Sequence, residues 1–310
     1  MVIDIPTWEA MGRLAKWRKK LAILGNNYNR DSLLIFAGDN GISLEHSSIF
    51  QPMQSAMIVR EHLEGRSPVS MLLKQMGSEE IIIDVGLESP LDDLRIVNHN
   101  IRSGSRNFLQ EDALKEGEVI RALTAGIRIW NEISCHDFDI IAVGEIGISN
   151  TLCAAAIASA ITGLNPACLT GKGSGDSKVI DKKVDIISRA MAVRRPESHS
   201  VVDLLMRFGG LEIAALTGFI SRAKEKKTPI MLDGYVTTVA ALLASIIDSG
   251  VVPYLIVPSL ADQTGHQLLL DRMGLDFLFD MDINYGEGLA AVLGLYMARL
   301  ITNTFPNEIG

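Results

Sequence analysis

The chain has 310 residues, 47% of them hydrophobic, and a formal net charge of −8. That length and apolar content allow one large α/β domain with a buried core and a smaller appendage. The acidic balance argues against a nucleic-acid-binding role, since Lys and Arg cluster only in short runs such as Arg18 to Lys20 and Lys224 to Lys227, which read as solvated helix ends. Pro6 to Leu24 reads as an amphipathic helix, with Trp8, Met11, Leu14, Trp17 and Leu21 forming a stripe that packs on its own domain or on a partner subunit. Leu33 to Phe36 is a short apolar strand running into Ala37-Gly38-Asp39-Asn40-Gly41. Ligands of open α/β sheets collect outside the carboxyl ends of strands, which makes Asp39 a site candidate.

Helices follow at Pro52 to Leu63 and Pro68 to Met76, then a strand at Glu80 to Val85 ending in Gly86, a polar loop IRSGSRNF from Ile101, and a helix from Glu111 to Ile133. The stretch IIAVGEIGISNTLCAAA, Ile140 to Ala156, has the outline of a ligand-binding strand, loop and helix. Ile140 to Val143 is its strand, Gly144 and Gly147 let the backbone bend, and Asn150 or Thr151 is placed to cap the helix. A helix N-terminus emerging from such a loop suits an anion such as phosphate. Glu145 would repel that anion, so it faces a ribose hydroxyl, a cationic group or a backbone N–H.

A short strand is expected at Ala167 to Leu169, then Gly171-Lys172-Gly173-Ser174-Gly175 and a helix from Lys178 to Val193. GKGSG lacks the spacing of a P-loop but makes an anion-friendly backbone nest. Gly209-Gly210 announces a helix, Leu211 to Ala223. The theme then repeats: strand Pro229 to Leu232 ending in Asp233-Gly234, helix Val236 to Ile247, strand Val252 to Val257, helix Thr264 to Arg272, strand Phe277 to Met281, and Gly286-Glu287-Gly288 opening a last helix from Leu289 to about Leu300. Strands alternating with helices predict an α/β fold with a parallel sheet covered on both faces. The first and last helices are candidates for a small separate layer.

Cys135, Cys153 and Cys168 have no CxxC spacing, which fits a reducing cytoplasm. The six histidines, His46, His62, His99, His136, His199 and His266, form no HxxxH or HExxH pair, so no metal or other cofactor is expected. No apolar run approaches the roughly 20 residues of a membrane helix, and the acidic, amphipathic N-terminus is unlike a secretion signal.

Taken in order, FAGDNG at Phe36 to Gly41, IRSGSRNF, VGEIGISNT at Val143 to Thr151, GKGSG, GGLE at Gly209 to Glu212, LDG at Leu232 to Gly234, TGH at Thr264 to His266 and YGEG at Tyr285 to Gly288 resemble the nicotinate-nucleotide:dimethylbenzimidazole phosphoribosyltransferase family. The resemblance implies transfer of a ribose 5-phosphate unit from nicotinate mononucleotide to the aromatic acceptor that becomes the lower ligand of a cobamide. It implies a Rossmann-like large domain, about residues 30–280, a small helical domain from 1–29 with 281–310, and a homodimer or a heterodimer with a paralogue. The family's catalytic base falls on Glu287. One carboxylate suffices, because the pyridinium leaving group needs neither acid nor metal, and a placed general base contributes roughly 10² to 10⁴ in rate. By the same resemblance the ribose phosphate is held by the loop carrying Glu145, Gly147, Ser149 and Asn150, by Gly173, Ser174 and Gly175, and by Lys183, with Gly286 beside the base.

The sequence also departs from the family. Met57 stands where the family carries a glutamine that hydrogen-bonds the benzimidazole, and a buried ring nitrogen left unpaired costs about 1 to 3 kcal/mol. This points to a flatter, more apolar acceptor, as in the two-subunit branch that activates phenol and p-cresol. Asn40 replaces a histidine, Ser149 a glycine and Asn284 an arginine; Pro258-Ser259 replaces a serine-histidine pair, and Leu289 and Ala290 replace small residues. Such losses of polar groups also suit a subunit that supports a catalytic partner.

Overall fold

The computed structural model describes residues 10–25, 28–52, 54–172 and 178–305. Seven strands form one parallel sheet in the order β3-β2-β1-β4-β5-β6-β7. They are β1 Asp31–Gly38, β2 Glu79–Gly86, β3 Ile96–Asn98, β4 Ile140–Ile146, β5 Ile230–Leu232, β6 Leu255–Ala261 and β7 Phe277–Ile283. The order reverses between β1 and β4, the topological switch point of a Rossmann-like sheet. Every residue of β1 and β4 is buried, which is why both read as continuous apolar runs.

Strand periodicity sorts these side chains into two cores. Leu34, Phe36, Ile141 and Val143 point to one face. There they meet α4 (Glu116–Ile133), α5 (Asn150–Thr162), α6 (Lys178–Arg194), α7 (Val201–Phe208), α8 (Leu211–Ile220) and α10 (Tyr235–Ile247); the short α9 (Ala223–Lys226) follows α8. Leu33, Ile35, Ile140 and Ala142 point to the other face. It is covered by α1 (Arg13–Leu24), α2 (Ser55–Leu63), α3 (Pro68–Met76) and the last helix, α12 (Leu289–Thr304). The remaining helix, α11 (His266–Met273), lies between β6 and β7 in sequence. No helix among the described residues is long and apolar enough to cross a membrane.

Several local expectations are corrected. Ala167 to Leu169 is not a strand: Asn165 accepts from the N–H of Ala167, and Pro166 presets a 3-10 turn over Pro166–Cys168. A second 3-10 turn, Ser249–Tyr254, occupies the start of the expected strand Val252 to Val257 and delays β6 to Leu255. The helix expected from Glu111 begins at Glu116, and α7 and β3 add to the expected elements. Arg18 is fully buried and donates to the Phe305 carbonyl at 3.1 Å, so the Arg18 to Lys20 run is not a solvated end. The part of the expected N-terminal helix before residue 10 lies outside the described residues.

Helices α4 and α8 cross at a pair of glycines. A Cβ on Gly126 would stand 1.9 Å from the Ala215 carbonyl oxygen, and one on Gly218 would stand 2.1 Å from that of Leu123. Gly126→Ala must therefore push the helices apart and disturb the edge-to-face pair of Trp130 and Phe219. The expected result is destabilisation by about 3 kcal/mol, read as a lower urea midpoint at unchanged slope.

Candidate active site

A cleft open to solvent lies at the carboxyl ends of β4 to β7. The loop after β1 contributes Ser47, Ser48 and Phe50, and α2 contributes Ile58. Glu145 to Thr151 end and follow β4, Asp233 to Val236 follow β5, Ser259 to Ala261 end β6, and Ile283 to Glu287 end and follow β7. Lys183 reaches in from α6. Glycine positions these parts against one another: a Cβ on Gly144 would stand 2.8 Å from the Gly288 backbone, so only glycine lets β4 lie against the Gly286-Glu287-Gly288 turn.

That turn is held in the left-handed region throughout, with φ of 81° at Gly286, 59° at Glu287 and 91° at Gly288. A non-glycine residue there costs about 1 to 2 kcal/mol, and such strain persists where surrounding contacts over-determine it. Asp233 supplies one set of contacts: its carboxylate accepts from the N–H groups of Gly288 at 3.1 Å, Ala290 at 2.8 Å and Ala291 at 3.3 Å. It thus caps α12. Burial lifts Asp233 to about 6 against the opposing pull of those N–H groups. His62 supplies the other contact, its Nε2 lying 2.8 Å from Glu287 Oε2 and its Nδ1 2.6 Å from Glu80 Oε1.

Glu145, at the end of β4, is buried, and Asn150 Nδ2 donates to its Oε2. Burial first, then the charges of Asp233 and Glu212, push Glu145 well above the usual carboxylate range, with the Asn150 bond opposing. A carboxyl that favours its proton can sit beside an anion. Asn150 is thus the first residue of α5 with its side chain turned to Glu145, and the cap position is Ser149, in the left-handed region at φ 68°. Lys183 is 3% exposed and donates from Nζ to the Lys172 carbonyl at 2.9 Å, and burial pulls it down to about 8. Lys182 beside it points elsewhere, to the His46 carbonyl at 3.3 Å.

The cleft therefore brings together Glu287, Gly286, Glu145, Gly147, Ser149, Asn150 and Lys183. It does not include Asp39, whose two oxygens accept from the N–H groups of Ser55 and Glu88 and pin the loop after β1. Met57 is also outside it: 63% exposed on α2, it turns away while Ile58 faces the cleft. Gly173, Ser174 and Gly175 lie outside the described residues. Leu289 packs against the second core and Ala290 faces the cleft. His266 of TGH is a core histidine: it accepts from the Ala261 N–H at 2.8 Å, pairs with Thr238 at 2.9 Å, and burial lowers it to about 4. His62 is the residue sequence reasoning missed, since its partners lie 18 and 225 positions away.

The phosphoribosyltransferase family model matches residues 6–307. The nicotinate-nucleotide–dimethylbenzimidazole phosphoribosyltransferase of Roseiflexus sp. (strain RS-1) is 31% identical over 296 residues, 94% of this chain and 84% of that one. The enzyme of the same name from Desulforudis audaxviator is 33% identical over 269 residues, covering 86% and 76%. The crystal structure of CobT from Thermus thermophilus superposes with a TM-score of 0.87 at 28% identity, over 95% of this chain and 90% of that chain. The chain belongs to the nicotinate-nucleotide–dimethylbenzimidazole phosphoribosyltransferase family, and it is a phosphoribosyltransferase.

Proposed function

We propose that the chain transfers the 5-phosphoribosyl group of nicotinate mononucleotide to an aromatic acceptor, benzimidazole-like or phenolic, giving an α-riboside 5′-phosphate and nicotinate. The observation that carries this reading is the arrangement of one cleft: a tethered carboxylate, Glu287, at one side and a buried ammonium, Lys183, at another. The acceptor's lone pair forms the new bond to the anomeric carbon while the bond to the pyridinium nitrogen breaks, its electron pair leaving with neutral-ring nicotinate. Glu287 takes the proton the acceptor sheds. Phe50, Ile58 and Tyr285 offer the acceptor ring an apolar wall. Purified protein supplied with nicotinate mononucleotide and, separately, dimethylbenzimidazole, phenol and p-cresol should release nicotinate with at least one; release with none overturns the reading.

Lys183 is the phosphate ligand in this scheme, with Ser149 and Asn150 around the same group. Lys183→Met removes a charge-assisted hydrogen bond of about 1.5 to 3 kcal/mol, so kcat/KM for nicotinate mononucleotide should fall roughly 10- to 100-fold, chiefly through KM. Because Lys183 sits near 8 rather than 10.5, its ammonium is lost as pH rises through 8, and KM of the wild type should climb there. The Met variant should lack that climb. On the same reading the working species is a homodimer or a heterodimer with a paralogue. A size measurement after expression alone and with a homologue reads that state.

A further inference from the structure

We infer that His62 is a positioning residue for Glu287, clamped by Glu80 so that the carboxylate is held at the cleft in its left-handed turn. This rests on Glu287 being the general base. His62 lies on α2 and is 2% exposed. Three elements face it. Glu80 of β2 lies 2.6 Å from Nδ1, Glu287 of the turn before α12 lies 2.8 Å from Nε2, and Ser70 of α3 places its hydroxyl 3.5 Å from Nδ1 while donating to Glu80 Oε2 at 2.8 Å. An imidazole with a carboxylate oxygen at each nitrogen satisfies both only when both nitrogens carry protons. Losing either proton sets lone pair against lone pair.

The consequence is a clamp that works only while His62 is cationic. Burial by itself lowers the basicity of His62, and the hydrogen bonds to Glu287 and Glu80 outweigh it, lifting the group to about 9. Above that pH the ring releases one carboxylate. Glu287, strained at φ 59°, then loses one of the contacts that fix it. Asp233 and Glu145 are the other acids near the base, and Tyr285 hydrogen-bonds it.

The test is the pH dependence of kcat with saturating nicotinate mononucleotide and dimethylbenzimidazole, so that loss of the Lys183 ammonium, a binding effect, does not enter. Wild type should show kcat falling through about pH 9. His62→Gln keeps a donor toward Glu287 that does not titrate; it should retain kcat within about tenfold and lose that fall. His62→Phe should lower kcat about 10- to 100-fold, the scale of a misplaced catalytic group, with little change in KM. Glu80→Gln, which touches no substrate, should move the fall to lower pH. An unaltered alkaline fall in His62→Gln and Glu80→Gln, or a wild-type kcat in His62→Phe, overturns the inference. Glu287→Gln separates the two levels: if it turns over like wild type, the base assignment fails with everything built on it; if it is inactive while the His62 variants behave as wild type, only the clamp fails.

Discussion

Glu287→Gln lowers kcat for nicotinate release by about 10²- to 10⁴-fold, the contribution of a placed general base, with little change in KM for nicotinate mononucleotide. The amide keeps the volume of the side chain, and its oxygen can still accept from His62, so the turn at φ 59° keeps its anchor. What is lost is the capacity to take the acceptor's proton. The choice of acceptor supplies an internal control. A phenol ionises near pH 10, and a phenolate has no proton to give up. With phenol as acceptor, the variant's rate should therefore rise toward the wild-type rate as pH approaches 10; with dimethylbenzimidazole it should stay low. Single-turnover measurement of nicotinate, with acceptor and pH varied independently, reads both effects. A variant as fast as wild type with either acceptor at neutral pH would move the proton transfer to another group or another subunit.

Much of this site was legible because its backbone requirements are local. A strand buried on both faces has to be apolar throughout, which marked β4 and most of β1. The turn that must lie against β4 has to carry glycine on both sides of Glu287. Order along the chain did the rest, since loops at the carboxyl ends of parallel strands converge on one edge. Lys183 and Lys182 were adjacent alternatives, and only the pitch of α6 separates them, one buried in the cleft and the other exposed.

The failures have physical causes. The apolar stretches at Ala167 and Val252 look like strands, but Pro166 and Pro253 sit where 3-10 turns form, and an Asx side chain caps each turn. Asp39 looked like a site residue because it ends a strand; the backbone of the neighbouring loops uses both its oxygens instead. Met57 and Ile58 differ by one residue, about 100° around a helix, and that rotation decides which meets the cleft. His62 carries no local motif at all. Its meaning comes from Glu80 and Glu287, which the sheet and the last helix bring to it.

Asp233→Ala is expected to cost about 3 to 5 kcal/mol of stability and to impair catalysis, although Asp233 itself is not the base. Three N–H groups, of Gly288, Ala290 and Ala291, lose their acceptor together at positions the fold buries, and each buried donor left unmade costs about 1 to 3 kcal/mol. Water from the cleft recovers part of that, which keeps the total below the simple sum. Asp233→Asn should cost less: its amide oxygen can still accept from Ala290 and Ala291, while its NH₂ faces the Gly288 N–H and cannot. The pH dependence has a definite sign. Asp233 is lifted to about 6 in the fold, above its ordinary value near 3.8, so the folded state binds the proton more tightly. Wild type therefore gains stability from this group as pH falls through 6, and its margin over the alanine variant should widen by about 1 kcal/mol between pH 7 and pH 5. Urea unfolding of the two proteins at both pH values measures this. The catalytic loss should follow from geometry, because Glu287 stands between two residues of the turn that Asp233 ties to β5. With the tie cut, the carboxylate is misplaced and kcat should fall roughly 10- to 100-fold. If Asp233→Ala folds stably and keeps wild-type kcat, the turn is held by other contacts and the capping role assigned to LDG is wrong.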